Sequence, residues 1–194
     1  MTEAAAGIES AMTAVLGFDK EPLEECCREA SDLGCVQICN YNCPGQIVIG
    51  GEAPAVAKAS ALAKERGAKR CMPLKVSGPF HTALMHPAGD ALAGRFKETT
   101  FSPMDFPVLF NSLGHELADE ELTIPALLEK QVQSAVYMEQ SIRRLEELGV
   151  DTIIEIGPGK ALSGFVRKTT ATPIRCIPAE SCADLAAIIE EFGQ

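Results

Sequence analysis

The chain has 194 residues, 46% of them apolar and 23% charged, with 17 Lys and Arg against 27 Asp and Glu for a net charge of −10. That length fits one domain or two small ones, with ample apolar content for a packed core and no compositional bias toward disorder. The acidic balance argues against nucleic acid or an anionic membrane as partner, and no apolar run reaches the roughly 18 residues that a membrane helix needs.

The start, MTEAAAGIES, lacks a basic segment ahead of an apolar one, so no secretory signal is read and a cytoplasmic location is expected. The eight cysteines stand at positions 26, 27, 35, 39, 43, 71, 176 and 182. None forms a C-x-x-C pair, and several lie in strand-like runs. They read as reduced packing residues, with neither a metal site nor a disulfide frame expected.

Residues 12–74 read as one unit, preceded by a short linker at 1–11. The run AMTAVL at 11–16 suits a strand, and EPLEECCREAS a helix with Pro22 in its first turn and acids at its N-terminal end. CVQICNYN at 35–42 and QIVIG at 46–50 are strands joined by a turn at Cys43-Pro44-Gly45. PAVAKASALAKER at 54–66 is a helix ended by Gly67, and KRCMPL at 69–74 a closing strand. The order β-α-β-β-α-β is that of a small ferredoxin-like module, which by itself implies no chemistry.

A short extended run then meets Ser77-Gly78-Pro79, which breaks strand and helix alike, and His81 follows between Phe80 and Thr82. A histidine at such a junction has a fixed backbone, a ring free to face a cleft, and a pKa suited to moving a proton at neutral pH. Past it, 75–194 alternates helices and strands. Helices are expected at 84–97, 124–133, 137–148, 161–169 and 183–192, strands at 107–110, 152–156 and 173–177, and a polar loop at 111–121. Three short parallel strands would leave an open edge and an uncovered face.

Other motifs weigh less. Gly157-Pro158-Gly159-Lys160 lacks the spacing of a phosphate loop and reads as a tight strand-to-helix turn. Ser112-Leu113-Gly114-His115-Glu116 lies in a polar loop, where a nucleophile elbow would not. His86 reads as positional. Asn40, Asn42 and Gln46 bracket a turn, where Asn is ordinary, with a ligand-facing role as the sharper reading.

Taken together, NYNCPGQIVIGG, GAKRCMPLKVSGPFHTALM, LLEKQVQSAVYM and EIGPGKALSGF resemble, in this order, the malonyl-CoA:acyl carrier protein transacylase family, from AMTAVLG to the final helix. The resemblance implies an α/β fold, with a ferredoxin-like β-α-β-β-α-β subdomain at 12–74 and the C-terminal part of an α/β-hydrolase-like core at 75–194. It implies ping-pong acyl transfer in fatty acid or polyketide synthesis, in which an elbow serine attacks the malonyl thioester and a histidine, similar to His81, is the base. Gln131 matches a position whose backbone carbonyl orients the imidazole. Met1 coincides with the Met of the family's R-G-x-x-M segment, and Phe at the place of Phe80 goes with malonyl selection; Asn42, Gln46 and Arg70, read from the turn and from the basic pair, are taken with them as candidate substrate-binding residues. Malonyl-CoA and acyl carrier protein are the implied partners, with no cofactor.

No G-H-S-x-G-E elbow, G-Q-G-S-Q segment or malonyl-binding arginine before Met1 occurs in these residues. The expectation is therefore the C-terminal portion of a transacylase, inactive without a nucleophile-bearing N-terminal half. The alternative is a non-catalytic module that binds CoA or acyl carrier protein, for which exposed Lys69 and Arg70 would serve equally well. Retention of His81 favours the enzyme.

Overall fold

A computed structural model describes residues 3–117 and 123–193. The elements run β1 (Ser10–Leu16), α1 (Lys20–Ala30), β2 (Val36–Cys43), β3 (Gln46–Glu52), α2 (Ala53–Glu65), β4 (Arg70–Pro73), α3 (His86–Phe96), β5 (Leu109–Phe110) and β6 (His115–Glu116). They continue α4 (Ile124–Gln131), β7 (Val136–Tyr137), α5 (Met138–Glu147), β8 (Thr152–Ile156), α6 (Ala161–Thr169), β9 (Arg175–Ala179) and α7 (Cys182–Phe192). Two compact units divide inside α5: Met1–Ser141 and Ile142–Gln194.

The first unit is organised on a mixed sheet of order β4-β1-β3-β2-β7. β1 pairs antiparallel with β3 and β4, β2 antiparallel with β3, and β7 parallel with β2. Period-two alternation assigns the faces. Val15, Ile38, Ile47 and Ile49 point to one side, against Leu23, Cys26, Cys27 and Ala30 of α1 and Ala55, Val56, Ala59 and Ala63 of α2. The α1 residues recur at helical spacing, three or four apart, which makes a single buried stripe. The alanines of α2 present almost no side-chain bulk, so the two helices share one face of the sheet. Leu23, Ile49, Val15 and Val56 are wholly enclosed there, each contributing roughly 1.5–3 kcal/mol by leaving water. The opposite face carries Met12, Ala14, Cys39 and Val48, with Phe80 packed on it.

The structure departs from the sequence reading in three places. The strand at Leu109–Phe110 joins no parallel sheet; it pairs antiparallel with β6, inside the stretch read as loop. Residues 118–122 of that stretch lie outside the described residues. β7 was not anticipated: at two residues it is too short for a periodicity to show, and its place beside β2 is marked by Tyr41 and Tyr137, whose rings stack at 5.2 Å. After His81 the chain makes a 3₁₀ turn, Ala83–Met85, and α-helix begins only at His86, with Pro87 in its first turn.

In the second unit β8 and β9 pair parallel, Thr152 beside Arg175 through Ile156 beside Ala179. Alternation along β8 turns Glu155 toward α6 and leaves Ile154 and Ile156 on the other side, the latter 71% exposed. Glu155 is buried, and its carboxylate accepts the backbone N–H groups of Leu162 (2.9 Å) and Ser163 (2.7 Å) and the Ser163 hydroxyl (2.6 Å). Gly157 (φ 138°) and Gly159 (φ 88°) let the chain double back so that strand and helix end meet. The Gly-Pro-Gly-Lys loop is thus a turn whose helix amides are already taken by an internal acid, which is why it is no phosphate cradle.

The Ser163 hydroxyl, followed by the two amides, holds the Glu155 carboxyl below its ordinary 4.5. A lowered native pKa means that the stabilisation is present above the unfolded value and is lost as pH falls through the native one. Glu155→Gln is expected to cost about 1–3 kcal/mol at pH 7 by leaving a buried donor unmet. Urea melts of both proteins at pH 7 and at pH 3 check this: the gap should narrow at the lower pH, and an equal gap at both contradicts it.

The cysteines give a chemical check on the first unit. All eight are free thiols, and burial pushes Cys27 and Cys39 each up to about 12, whereas Cys182 is exposed. Iodoacetamide on the native protein at pH 8 should label Cys182 well before Cys27 or Cys39, since only the thiolate of an accessible cysteine reacts. Comparable labelling of all three by peptide mapping would contradict the packing described.

Candidate functional site

The second face of the first unit's sheet carries the loop that the sequence singles out. Phe80 is half-buried between two apolar groups: Met12, Ala14, Cys39 and Val48 on the sheet, and Ala5, Met85 and Ala88 beside it. Gly78 is required under it, because a Cβ there would stand 2.7 Å from the Ala5 Cβ. Thr82 is wholly buried and donates its hydroxyl to the Pro79 carbonyl at 2.6 Å. Its methyl reaches toward Gly50 of β3, where an added Cβ would lie 3.3 Å from it. From β2, the Gln37 side-chain oxygen accepts the Ala83 N–H at 3.0 Å, which ties the 3₁₀ turn to the sheet.

Between these anchors His81 has φ 61°, the only non-glycine residue with positive φ among the described residues. Such a conformation costs on the order of 1 kcal/mol or more and persists only when its surroundings over-determine it. Its own N–H donates to the Val132 carbonyl at 3.2 Å. Its ring Nδ1 lies 2.9 Å from the Gln131 carbonyl oxygen, at the end of α4. A carbonyl has no proton to offer, so Nδ1 must carry the hydrogen and Nε2 keeps its lone pair. The last turn of a helix leaves carbonyls without intrahelical partners, so the Gln131 carbonyl is well suited to hold an imidazole by its Nδ1–H. The arrangement is that of a base with its ring oriented and one nitrogen free.

The other residues picked from sequence lie on the sheet. Register puts Arg70, Leu16, Gln46 and Cys43 in one row across β4, β1, β3 and β2. Alternation from Met12 and Ala14 places Leu16, and with it the exposed Arg70, on the face that carries Phe80. The row of Met12, Gly50 and Gln37, where the His81 loop is tied down, is four residues further along the strands, about 13 Å away at ~3.3 Å per residue. Asn42 sits at the irregularity of β2 between Tyr41 and Cys43, half-buried. Met1 lies outside the described residues. The structure therefore joins His81 to Gln131 and Phe80 and sets Arg70 and Gln46 apart from them.

Sequence reasoning missed Gln37, Thr82 and Val132. Gln37 is one polar residue in an alternating strand, with nothing to mark it. Thr82 stands beside the motif, yet only its burial shows that it locks the loop. The Val132 contribution is a backbone carbonyl, which no side-chain pattern can reveal. Among the described residues no cluster of His, Cys, Asp and Glu is arranged to hold a metal, and no helix is long and apolar enough to cross a membrane.

No protein-family model matches the chain. Comparison with curated proteins finds the malonyl CoA-acyl carrier protein transacylase of Bacillus subtilis, 47% identical over 169 residues, which is 87% of this chain and 53% of that protein. Among solved structures, the MCAT of Streptococcus pneumoniae superposes with a TM-score of 0.89 at 44% identity, covering 99% of this chain and 62% of that one. A malonyl-transacylase solved in complex with its type II PKS acyl-carrier protein superposes at 0.90 with 34% identity, covering 98% of this chain and 61% of that one. The chain spans about half the length of the curated relatives it matches. On both sequence and fold, over the part that it spans, the chain belongs to the malonyl CoA-acyl carrier protein transacylase family.

Proposed function

We propose that this chain takes part in transfer of a malonyl group from CoA to the phosphopantetheine thiol of acyl carrier protein, with His81 as the base. The observation that carries the reading is the strained His81, its Nδ1–H on the Gln131 carbonyl and its Nε2 free. In the first half-reaction Nε2 takes the proton of a serine hydroxyl as the oxygen attacks the thioester carbonyl, and returns it to the departing CoA sulfur. In the second it takes the proton of the carrier thiol, whose sulfur attacks the malonyl ester, and returns it to the serine oxygen. Throughout, the Gln131 carbonyl keeps Nδ1–H and so holds Nε2 toward the exchanging protons.

The serine is not supplied by a G-H-S-x-G-E elbow in these 194 residues, so the reading requires a nucleophile-bearing segment in addition to them. Two observations support that: the relatives' greater length, and the uncovered Ile154 and Ile156 on the open face of β8. In this reading residues 12–74 form a ferredoxin-like subdomain, which the strand order β4-β1-β3-β2 supports, and 75–194 belongs to a hydrolase-like core. Arg70 and Gln46, with Asn42 nearby, line the path of the long pantetheine arm toward His81. Exposed Lys69, Arg70 and Lys75 offer positive charge to a CoA phosphate or an acidic carrier on an otherwise acidic protein. The chemistry is expected in the cytoplasm.

The test is malonyl transfer by the chain combined with the nucleophile-bearing segment of a relative. His81→Ala should lower kcat/KM by roughly 10²–10⁴-fold, the worth of a positioned base, whereas Gln131→Ala, which keeps the carbonyl, should change it far less. Near-normal transfer by His81→Ala would sink the assignment.

Phe80 precedes the base, and packing against Met12, Val48 and Met85 fixes its ring. A ring so placed beside the acyl α-carbon admits a CH₂ and crowds an α-methyl branch. One methyl in a tight pocket discriminates by about 10- to 200-fold. Phe80→Ser should raise kcat/KM for methylmalonyl relative to malonyl within that range; an unchanged ratio makes the ring purely a packing element.

A further inference from the structure

The turn that follows α4 is held from more than one side. The Gln131 and Val132 carbonyls receive the His81 ring and amide, and the side chain of the next residue, Gln133, is held by α3. The His86 Nδ1, at the start of that helix, lies 2.7 Å from the Gln133 side-chain oxygen. The other ring nitrogen faces Asp90, one turn along α3, at 3.8 Å. The Gln133 amide nitrogen sits over Gly89, which is buried in the contact between α3 and α4. A Cβ on Gly89 would stand 2.5 Å from that nitrogen. Glycine is among the poorest formers of helix interior, and here it opens a notch that the Gln133 amide fills.

We infer that Gln133, seated in the Gly89 notch and held by His86, is a positioning residue for the His81 imidazole. It fixes the turn whose carbonyls take the ring proton and the backbone amide of His81. Only Val132 separates Gln133 from Gln131, so a shift of the Gln133 anchor passes through two peptide units to the carbonyl under the ring. The inference rests on His81 being the base, and it assigns Gln133 and His86 an action through the turn after α4.

Gly89→Ala gives a test that ordinary destabilisation cannot imitate. It installs the best helix former while its Cβ displaces Gln133, so helix stability and His81 order should move in opposite directions. On the 194-residue chain, NMR would follow hydrogen exchange of the His81 amide and the ring nitrogen signals, beside the thermal midpoint. Gly89→Ala and His86→Ala should each speed exchange at His81 about fivefold, the worth of one exposed neutral hydrogen bond, and blur the protonated-Nδ1 signature. The midpoint of Gly89→Ala should not fall, and His86→Gln, which keeps a donor, should restore the wild-type spectrum. Wild-type exchange and ring signals in Gly89→Ala would overturn the inference, as would loosening that merely follows a lower midpoint. These spectra do not read activity, so failure of His81 as base would appear separately, as retained transfer by His81→Ala.

Discussion

Everything around the candidate site depends on one backbone conformation, His81 at positive φ. A histidine with a Cβ has no intrinsic preference for it, so the surroundings must supply the difference. They do so through separate elements: Thr82 buried and bonded to Pro79, Ala83 tied to Gln37 on β2, and the His81 amide on the Val132 carbonyl. The result is an imidazole whose ring leaves the chain in a direction that ordinary strand or helix geometry does not offer. That direction brings Nδ1 onto the C-terminal end of α4 and leaves Nε2 open.

The sheet serves this arrangement by dividing its two faces between two tasks. Against α1 and α2 it buries a continuous apolar layer, which supplies stability: Cys26 and Cys27 are enclosed there, and burial raises Cys27 far above its ordinary range. The other face has fewer apolar residues and receives a loop instead of a helix. Stability from the first face compensates for strain on the second.

Two glycine- and proline-bearing turns show how similar composition serves different ends. Ser77-Gly78-Pro79 brings the chain close to Ala5 and releases it into a strained histidine. Gly157-Pro158-Gly159 closes a strand onto its own helix, and the buried Glu155 satisfies the amides that would otherwise meet an anion. The difference lies in what precedes and follows each turn. One exposes a titratable ring, and the other consumes a carboxylate internally.

The sequence alone determined the elements with strong periodicity or clear punctuation: β1 through β4 with the two helices between them, α6 after its glycines, and the His81 junction with its proline. These are local matters, set by alternation, helical spacing and turn chemistry within a few residues. Tertiary structure decided the rest. The two-residue strands β5, β6 and β7 exist only because a partner strand lies beside them, so no local pattern announces them. The pairing of β5 with β6 in place of a parallel sheet is likewise a choice among distant edges. At the site, the residue types of His81 and Phe80 were legible, but the positive φ of His81 and the anchors at Gln37, Thr82 and Val132 were not. Those depend on carbonyls and amides that every residue carries, and only the folded chain selects which of them face one another.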